Sequence, residues 1–140
     1  MKGRICCAFA ACLLLGTGIA AAQDAKKEQA AVAAAEKWLA LVDAGDYAQS
    51  WQESAVYFQD AVPKDGWVQS LKSIRYPLGK VASRKVNNTT PKTSLPGVPD
   101  GEYIVIEFDT SFEHKATATE TVTPMLEKDG RWRVTGYYIR

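Results

Sequence analysis

Residues 112–125 combine acid–base side chains with the alternation of a strand. The chain's only histidine, His114, precedes a ladder of threonines that runs from Thr117 to Thr123, and Glu120 is the only charged residue inside that ladder. Burial raises the pKa of a carboxyl group, whereas a hydrogen bond to its charged form lowers it, and a group tuned in this way can transfer protons or hold a ligand. The direction in which Glu120 points therefore decides its chemistry.

Two predicted turns give that direction. Apolar residues alternate along 104–112, so their face points inward, and a three-residue turn at 113–115 then places Glu120 on the inner face, opposite Phe108. A second three-residue turn, Lys128-Asp129-Gly130, places Glu120 opposite Tyr138. Pro124 has no N–H to donate, so a bulge there would move Tyr138 while leaving the pairing with Phe108 intact.

Three roles for Glu120 stay open: a structural carboxylate paired with an arginine, a ligand contact, or a proton acceptor. Arg75 and Arg84 are the candidate partners. Arg75 borders the apolar face of its helix, which is also typical of an arginine whose aliphatic part covers the core while its guanidinium stays in water. We assign ligand binding to Glu120, Tyr138 and Arg75, and we assign no catalytic residue.

Other kinds of chemistry find little support in the sequence. We interpret His114 as a turn residue, since histidine tolerates left-handed backbone geometry. One histidine without a cysteine in the mature chain argues against a zinc site, and no nucleotide-binding glycine pattern or calcium-loop spacing occurs. We therefore expect no metal and no cofactor. Trp38, Trp51, Trp67 and Trp132 are interpreted mainly as core residues.

The first 22 residues predict a secretory signal peptide. Lys2 and Arg4 precede an apolar run at 5–19, which is short for a membrane span, and small residues follow at 20–22. Cleavage there removes all three cysteines and leaves 15 basic against 16 acidic residues in a single domain, 23–140. This balance argues against a nucleic-acid partner, and no membrane contact is expected after cleavage.

The order of elements predicts an α+β fold. Helical spacing predicts helices at about 25–44, 46–62 and 65–76, and Pro77 is expected to end the third. A period of two predicts strands at about 79–90, 102–113, 116–127 and 131–140. We expect the three helices to pack on one face of a curved, four-stranded antiparallel sheet.

Several segments are similar to those of a known family. Residues 38–45 (WLALVDAG), 50–51, 75–79 (RYPLG), 83–84, 95–103 (LPGVPDGEY) and 120–125 (ETVTPM) resemble the bacterial exported family catalogued as domain of unknown function 4019. The order of elements also resembles the nuclear transport factor 2-like cone. The resemblance implies a bacterial envelope location and a cone with a pocket, and it implies no activity.

We therefore expect an exported, non-catalytic periplasmic module. Its expected partner is a small apolar ligand, or a second copy bound through the outer sheet face with its threonines, Tyr137 and Ile139. The alternative is a cofactor-free isomerase or dehydratase with Glu120 as the general base and Tyr138 as the donor to an oxyanion.

Overall fold

The computed structural model describes residues 17–140. It contains the helices α1 (Thr17–Asp43), α2 (Tyr47–Gln52), α3 (Val56–Ala61) and α4 (Lys64–Leu78), followed by the strands β1 (Val81–Lys92), β2 (Tyr103–Phe112), β3 (Lys115–Leu126) and β4 (Trp132–Ile139). The three cysteines and residues 1–16 of the predicted signal peptide lie outside the described residues. Among residues 17–140, no helix combines the length and the hydropathy that a membrane span requires.

The α+β prediction is confirmed: helices precede and pack against one open antiparallel sheet with the strand order β1-β2-β3-β4. Strand β4, which ends at Ile139, is an edge strand. Apolar residues of α1 at helical spacing (Ala31, Ala35, Trp38, Leu39 and Val42) form a core with Trp67 and Leu71 of α4 and with the inner face of the sheet (Ile104, Ile106, Phe108, Val122 and Val134).

The single helix predicted at 46–62 is wrong, because the chain there forms two short helices. Ala55 adopts an extended conformation, with ψ at 146°, and its N–H donates to the Val134 carbonyl of β4 over 2.8 Å. The Gln59 side-chain amide lies within hydrogen-bond distance of the carbonyls of Trp51, Gln52 and Ser54, close to the point where the helix is interrupted. Contacts distant in sequence thus override the local helical pattern.

The α4–β1 junction depends on a glycine. Pro77 lies inside the last turn of α4, so the helix runs two residues beyond its predicted end at Tyr76, and Gly79 follows with φ at 74°. A Cβ atom on Gly79 would lie 2.7 Å from the Cβ of Glu113. Glycine therefore allows both the backbone conformation and the close approach of the β2–β3 turn.

The register of the sheet agrees with the sequence in one hairpin and departs from it in the other. Glu120 lies opposite Phe108, as predicted. The β2–β3 turn holds two residues, Glu113 and His114, rather than three, and a register shift between Thr110 and Phe112 restores the predicted pairing. In the next hairpin Leu126 pairs with Trp132 as predicted, but beyond Pro124 the register moves by one residue, so that Thr135 is the extra residue of a bulge in β4.

Candidate functional site

Glu120 is completely buried between the sheet and the helices and accepts three hydrogen bonds. Its Oε1 accepts from Nε of Arg84 over 2.7 Å and from Oγ1 of Thr110 over 2.6 Å. Its Oε2 accepts from the hydroxyl of Tyr137 over 2.5 Å. Three donors, one of them cationic, compensate the carboxylate for the water that burial removes.

The terminal nitrogens of Arg84 bind a second carboxylate, that of Asp43. Its Nη1 and Nη2 donate to the two Oδ atoms of Asp43 over 2.6 and 3.0 Å, and Nη2 of Arg75 donates to Oδ1 of Asp43 over 2.8 Å. We call Asp43, Arg75, Arg84 and Glu120 the ion network. Its two cations and two anions balance, and they come from the end of α1, from α4, from β1 and from β3.

The contacts within and beside the ion network shift the pKa values of Asp43, Arg84 and Tyr137. Burial by itself raises the pKa of Asp43, but the hydrogen bonds from Arg84 and Arg75 outweigh that effect, so this pKa lies below its ordinary value. Burial lowers the pKa of Arg84, whereas its bonds to Asp43 and Glu120 raise it by more, and the guanidinium stays charged. Burial raises the pKa of Tyr137, and the charge of Glu120 raises it further, so the phenol remains a proton donor.

The predicted pairing of Glu120 with Tyr138 is wrong. Glu120 lies opposite Ile139, and Tyr138 lies opposite Thr121 on the outer face, where it is 54 % exposed. Because one extra residue in a strand exchanges its two faces, the bulge at Thr135 turns Tyr137 inward in its place. The prediction that Tyr137 and Ile139 lie on the outer face is wrong for the same reason.

Arg75 lies in the ion network, close to the position that the sequence suggested, but its charge is not in water. The residue is 6 % exposed, and its guanidinium lies 5.1 Å from the ring centroid of Phe112, a cation–π distance. Its Nε and Nη1 have no hydrogen-bond partner among residues 17–140. Arg75 also lines an open groove of about 970 Å³ between α4 and the β2–β3 turn, and its role in ligand binding stays a prediction.

The sequence reasoning missed Asp43, Thr110 and Tyr137 as members of this site. One signal pointed to Asp43: it is the last residue of α1, where the helix dipole disfavours a negative charge, so a cationic partner was to be expected. Pro124 was the signal for Tyr137, because a bulge beside it exchanges the inner and outer faces of the rest of β4. Thr110 had none, since a threonine on the inner face of a strand is ordinary.

His114 lies in the β2–β3 turn and is exposed, as its interpretation as a turn residue required. It contacts the α4–β1 junction through its backbone, where its N–H donates to the Leu78 carbonyl over 3.0 Å. Within residues 17–140, no group of three or more histidine, cysteine or acidic side chains is arranged to hold a metal ion.

A separate concave region lies between α1 and β4. We call it the α1–β4 cleft. It has a volume of about 420 Å³ and is lined by Ala30, Ala34, Lys37, Trp38 and Leu41 of α1, by Gln49 and Glu53, and by residues 131–134 at the start of β4. The small side chains of Ala30 and Ala34 leave space above Trp132 and Val134. The floor is therefore apolar, while the charged residues stand around it.

The inner-face position of Tyr137 predicts a difference between two neighbouring variants. Tyr137→Phe removes the donor to Oε2 of buried Glu120 and is expected to lower the free energy of unfolding by about 2 kcal/mol, since a bond to a charged acceptor is lost. Tyr138→Phe, the matched control on the outer face, is expected to change it by less than about 0.5 kcal/mol. Urea unfolding measures both, and equal effects would contradict the register described above.

The lowered pKa of Asp43 predicts a pH-dependent contribution to stability. A carboxyl group whose pKa is lower in the folded state stabilises above its unfolded pKa, and that contribution is lost as the pH falls. Asp43→Asn is expected to cost about 1 to 2 kcal/mol at neutral pH, because Arg75 and Arg84 lose their shared carboxylate while water reaches the partly exposed site. The cost should shrink as the pH falls below 3.8, the ordinary pKa of this group.

Urea unfolding at a series of pH values measures this cost, and Asp60→Asn, at an exposed position on α3, is the control. If wild type and Asp43→Asn lose stability in parallel on acidification, the ionised Asp43 does not supply the stabilisation.

Comparison with known proteins places the chain in a family. A search of curated proteins finds no match. The model of the family described as "Protein of unknown function (DUF4019)" matches residues 34–137, which is more than half of the chain and includes all four residues of the ion network. The chain therefore belongs to the DUF4019 family.

Proposed function

We propose that this protein is an exported, non-catalytic module that binds a small, largely apolar ligand in the α1–β4 cleft. The proposal rests on the observation that the buried carboxylate of Glu120 and the open cleft lie in different parts of the molecule. The inward carboxylate is enclosed in the ion network, whereas an open cleft with an apolar floor lies elsewhere, between α1 and β4.

The geometry at Glu120 favours a structural role over proton transfer. A general base needs to reach the proton that it removes, and Glu120 has no exposed surface. Its two oxygens already accept hydrogen bonds from Arg84, Thr110 and Tyr137, so they are occupied by protein donors rather than open to a substrate. Tyr138, the proposed oxyanion donor, lies on the other face of the sheet. No observation among the described residues supports the isomerase or dehydratase alternative.

The α1–β4 cleft has the properties of a ligand site. Its volume of about 420 Å³ falls within the range of small-molecule pockets, about 300 to 1,000 Å³, which are mostly apolar and carry a few polar groups. Trp38 is held in place by hydrogen bonds from its Nε1 to the Ser50 carbonyl and to Oγ of Ser54. A fixed aromatic wall of this kind limits the entropy that binding costs.

Export is supported by the signal-peptide pattern at residues 1–22 and by the way in which α1 is anchored. Residues 18–22 are exposed, whereas α1 is fixed to the sheet region further along, by a 2.7 Å ion pair between Lys27 and Glu102 and by the 2.7 Å bond from Thr89 to Glu28. Cleavage after Ala22 would leave both contacts intact. A layer of helices on one face of the sheet also fits a nuclear transport factor 2-like cone. The homodimer through the outer face stays a prediction.

Export predicts a defined mature N-terminus. When the full-length chain is produced in a Gram-negative bacterium, the protein recovered from the periplasmic fraction is expected to begin at Gln23. N-terminal sequencing checks this, and a protein that keeps Met1 or remains in the cytoplasmic fraction would contradict export.

Ligand binding in the α1–β4 cleft predicts the effect of filling it. The purified protein is expected to bind the neutral dye N-phenyl-1-naphthylamine saturably, with an increase in dye fluorescence. Ala34→Trp fills the cleft and is expected to weaken binding at least about tenfold, a loss of about 1.4 kcal/mol. Ala40→Trp, at an exposed position on α1 outside the cleft, is the matched control and should bind like wild type. Absence of saturable binding, or equal effects of the two variants, would refute the proposal.

A further inference from the structure

We infer that the α1–β4 cleft is one half of a longer binding site, and that its ligand is a neutral molecule with a single extended alkyl chain and an uncharged oxygen, such as a long-chain alcohol or ester. This inference rests on the proposed function, because it assigns a ligand class to the same cleft. It adds the length of the ligand, its lack of charge, and the residue at the middle of the site, Trp132.

A second concave region lies beside the cleft, next to the amino-terminal half of α1. We call it the α1–β2 cavity. It has a volume of about 510 Å³ and is lined by Asp24, Lys27 and Glu28 of α1, by residues 91–94, by residues 102–104 around the start of β2, and by Trp132. Among the described residues, Trp132 is the only one that lines both this cavity and the α1–β4 cleft. The two spaces therefore approach each other at this side chain.

Trp132 lies on the inner face of the sheet, on the side of the helices. Val134, two residues further along β4, is buried in the core, and alternate residues of a strand share one face. The bulge of β4 lies beyond Val134, at Thr135, so it does not disturb this alternation. Trp132 packs against the same core but is only partly buried. Its indole ring is therefore a wall that a ligand in either space can contact.

The indole N–H of Trp132 is available to a ligand. The other three tryptophans each donate their indole N–H to a backbone carbonyl or to a serine hydroxyl. Within residues 17–140, Nε1 of Trp132 has no such acceptor, and protein atoms do not enclose it completely. Because a buried indole N–H usually finds a partner, a ligand that covers Trp132 is best matched when it brings a hydrogen-bond acceptor.

The positions of the two spaces along α1 set the shape of the ligand. Lys27 of the α1–β2 cavity and Ala34 of the α1–β4 cleft lie about 10 Å apart along the helix axis, at the α-helical rise per residue. A ligand that occupies both spaces must exceed this length. Since the spaces approach each other at one side chain, a thin alkyl chain fits the passage, whereas a rigid or branched body does not.

The charges around the two spaces favour an uncharged ligand. In the α1–β4 cleft, Arg133 lies 2.9 Å from a carboxylate oxygen of Asp129 and 3.6 Å from one of Glu127, and Glu53 is a third carboxylate, so that the three cations of the lining are balanced. The α1–β2 cavity is lined by two lysines and three carboxylates. Neither space has an excess of positive charge, so an anionic group gains no complementary partner there.

Displacement of N-phenyl-1-naphthylamine tests the inference, because it reports only on ligands that enter the α1–β4 cleft. 1-Decanol and 1-hexanol have the same head group, but only 1-decanol is long enough to reach from the cleft into the α1–β2 cavity. Ser94→Trp fills the α1–β2 cavity from an exposed loop position. It is expected to raise the concentration of 1-decanol needed for half-displacement at least about fivefold, because methylene groups lose their buried contacts, and to leave 1-hexanol unchanged.

The control for this variant is Ser70→Trp, at an exposed position on α4 that lines neither space. It should leave both alcohols unchanged. Unaltered binding of the dye itself shows that each variant is folded.

Two further measurements test the charge of the ligand and the role of Trp132. Decanoate, which has the same chain length and a carboxylate, is expected to displace the dye less effectively than 1-decanol. In isotope-labelled protein, 1-decanol is expected to shift the NMR resonance of the Trp132 indole N–H, which is assigned by its absence from Trp132→Phe. This variant keeps an aromatic ring and is expected to weaken 1-decanol about threefold, because one hydrogen bond is lost.

The outcomes separate this inference from the proposed function. If the dye binds but 1-decanol does not displace it, or if Ser94→Trp and Ser70→Trp have equal effects on 1-decanol, the cleft binds ligands by itself and the longer site is refuted. If decanoate displaces the dye better than 1-decanol does, or if the Trp132 resonance does not move, the assigned ligand class is wrong. If the dye itself does not bind, the proposed function fails, and this inference fails with it.

Discussion

The burial of the Glu120 charge is the constraint on which the rest of this structure depends. A carboxylate without solvent contact is tolerated only when donors replace its water, and here Arg84, Thr110 and Tyr137 do so. Arg84 adds a positive charge between the helices and the sheet, and its Nη1 and Nη2 groups donate to Asp43. Asp43 in turn binds Arg75. The buried charge of Glu120 thus requires Arg84, and the series of ion pairs through the partly exposed Asp43 connects α1 and α4 to β1 and β3.

Such a network specifies an arrangement more than it adds net stability. The cost of removing charges from water offsets much of their attraction, but an incorrectly paired arrangement would leave a charge buried alone. A shift of β3 by one residue would turn Glu120 away from Arg84, and a displacement of α1 would remove Asp43. The apolar core supplies the driving force for packing the helices on the sheet, and the ion network selects one orientation among those that the core would accept.

The same arrangement separates the ion network from the α1–β4 cleft, where we propose that a ligand binds. The ion network encloses the acidic group that looked most reactive in the sequence, while the α1–β4 cleft lies along the face of α1 that carries Ala30 and Ala34. Small side chains on that face leave space that the larger residues of the core do not fill. Trp38 belongs to both regions: its ring packs edge-on against Tyr137 at 5.2 Å between centroids, and it also forms part of the cleft wall.

The sequence by itself determined the α+β class and the order of helices before strands, because both follow from the periodicity of apolar residues. It also predicted the inward direction of Glu120, but through a three-residue turn; the observed turn has two residues, and the register shift between Thr110 and Phe112 keeps Glu120 opposite Phe108. It did not determine which tyrosine meets Glu120, because one extra residue opposite Pro124 reverses every side chain after it. Nor did it determine the break between α2 and α3, which depends on the bond from Ala55 to Val134, or the pairing of Asp43 with Arg84, 41 residues apart. Local pattern reports which face of an element is apolar. Only the tertiary structure decides which polar groups meet, because their partners come from distant parts of the chain.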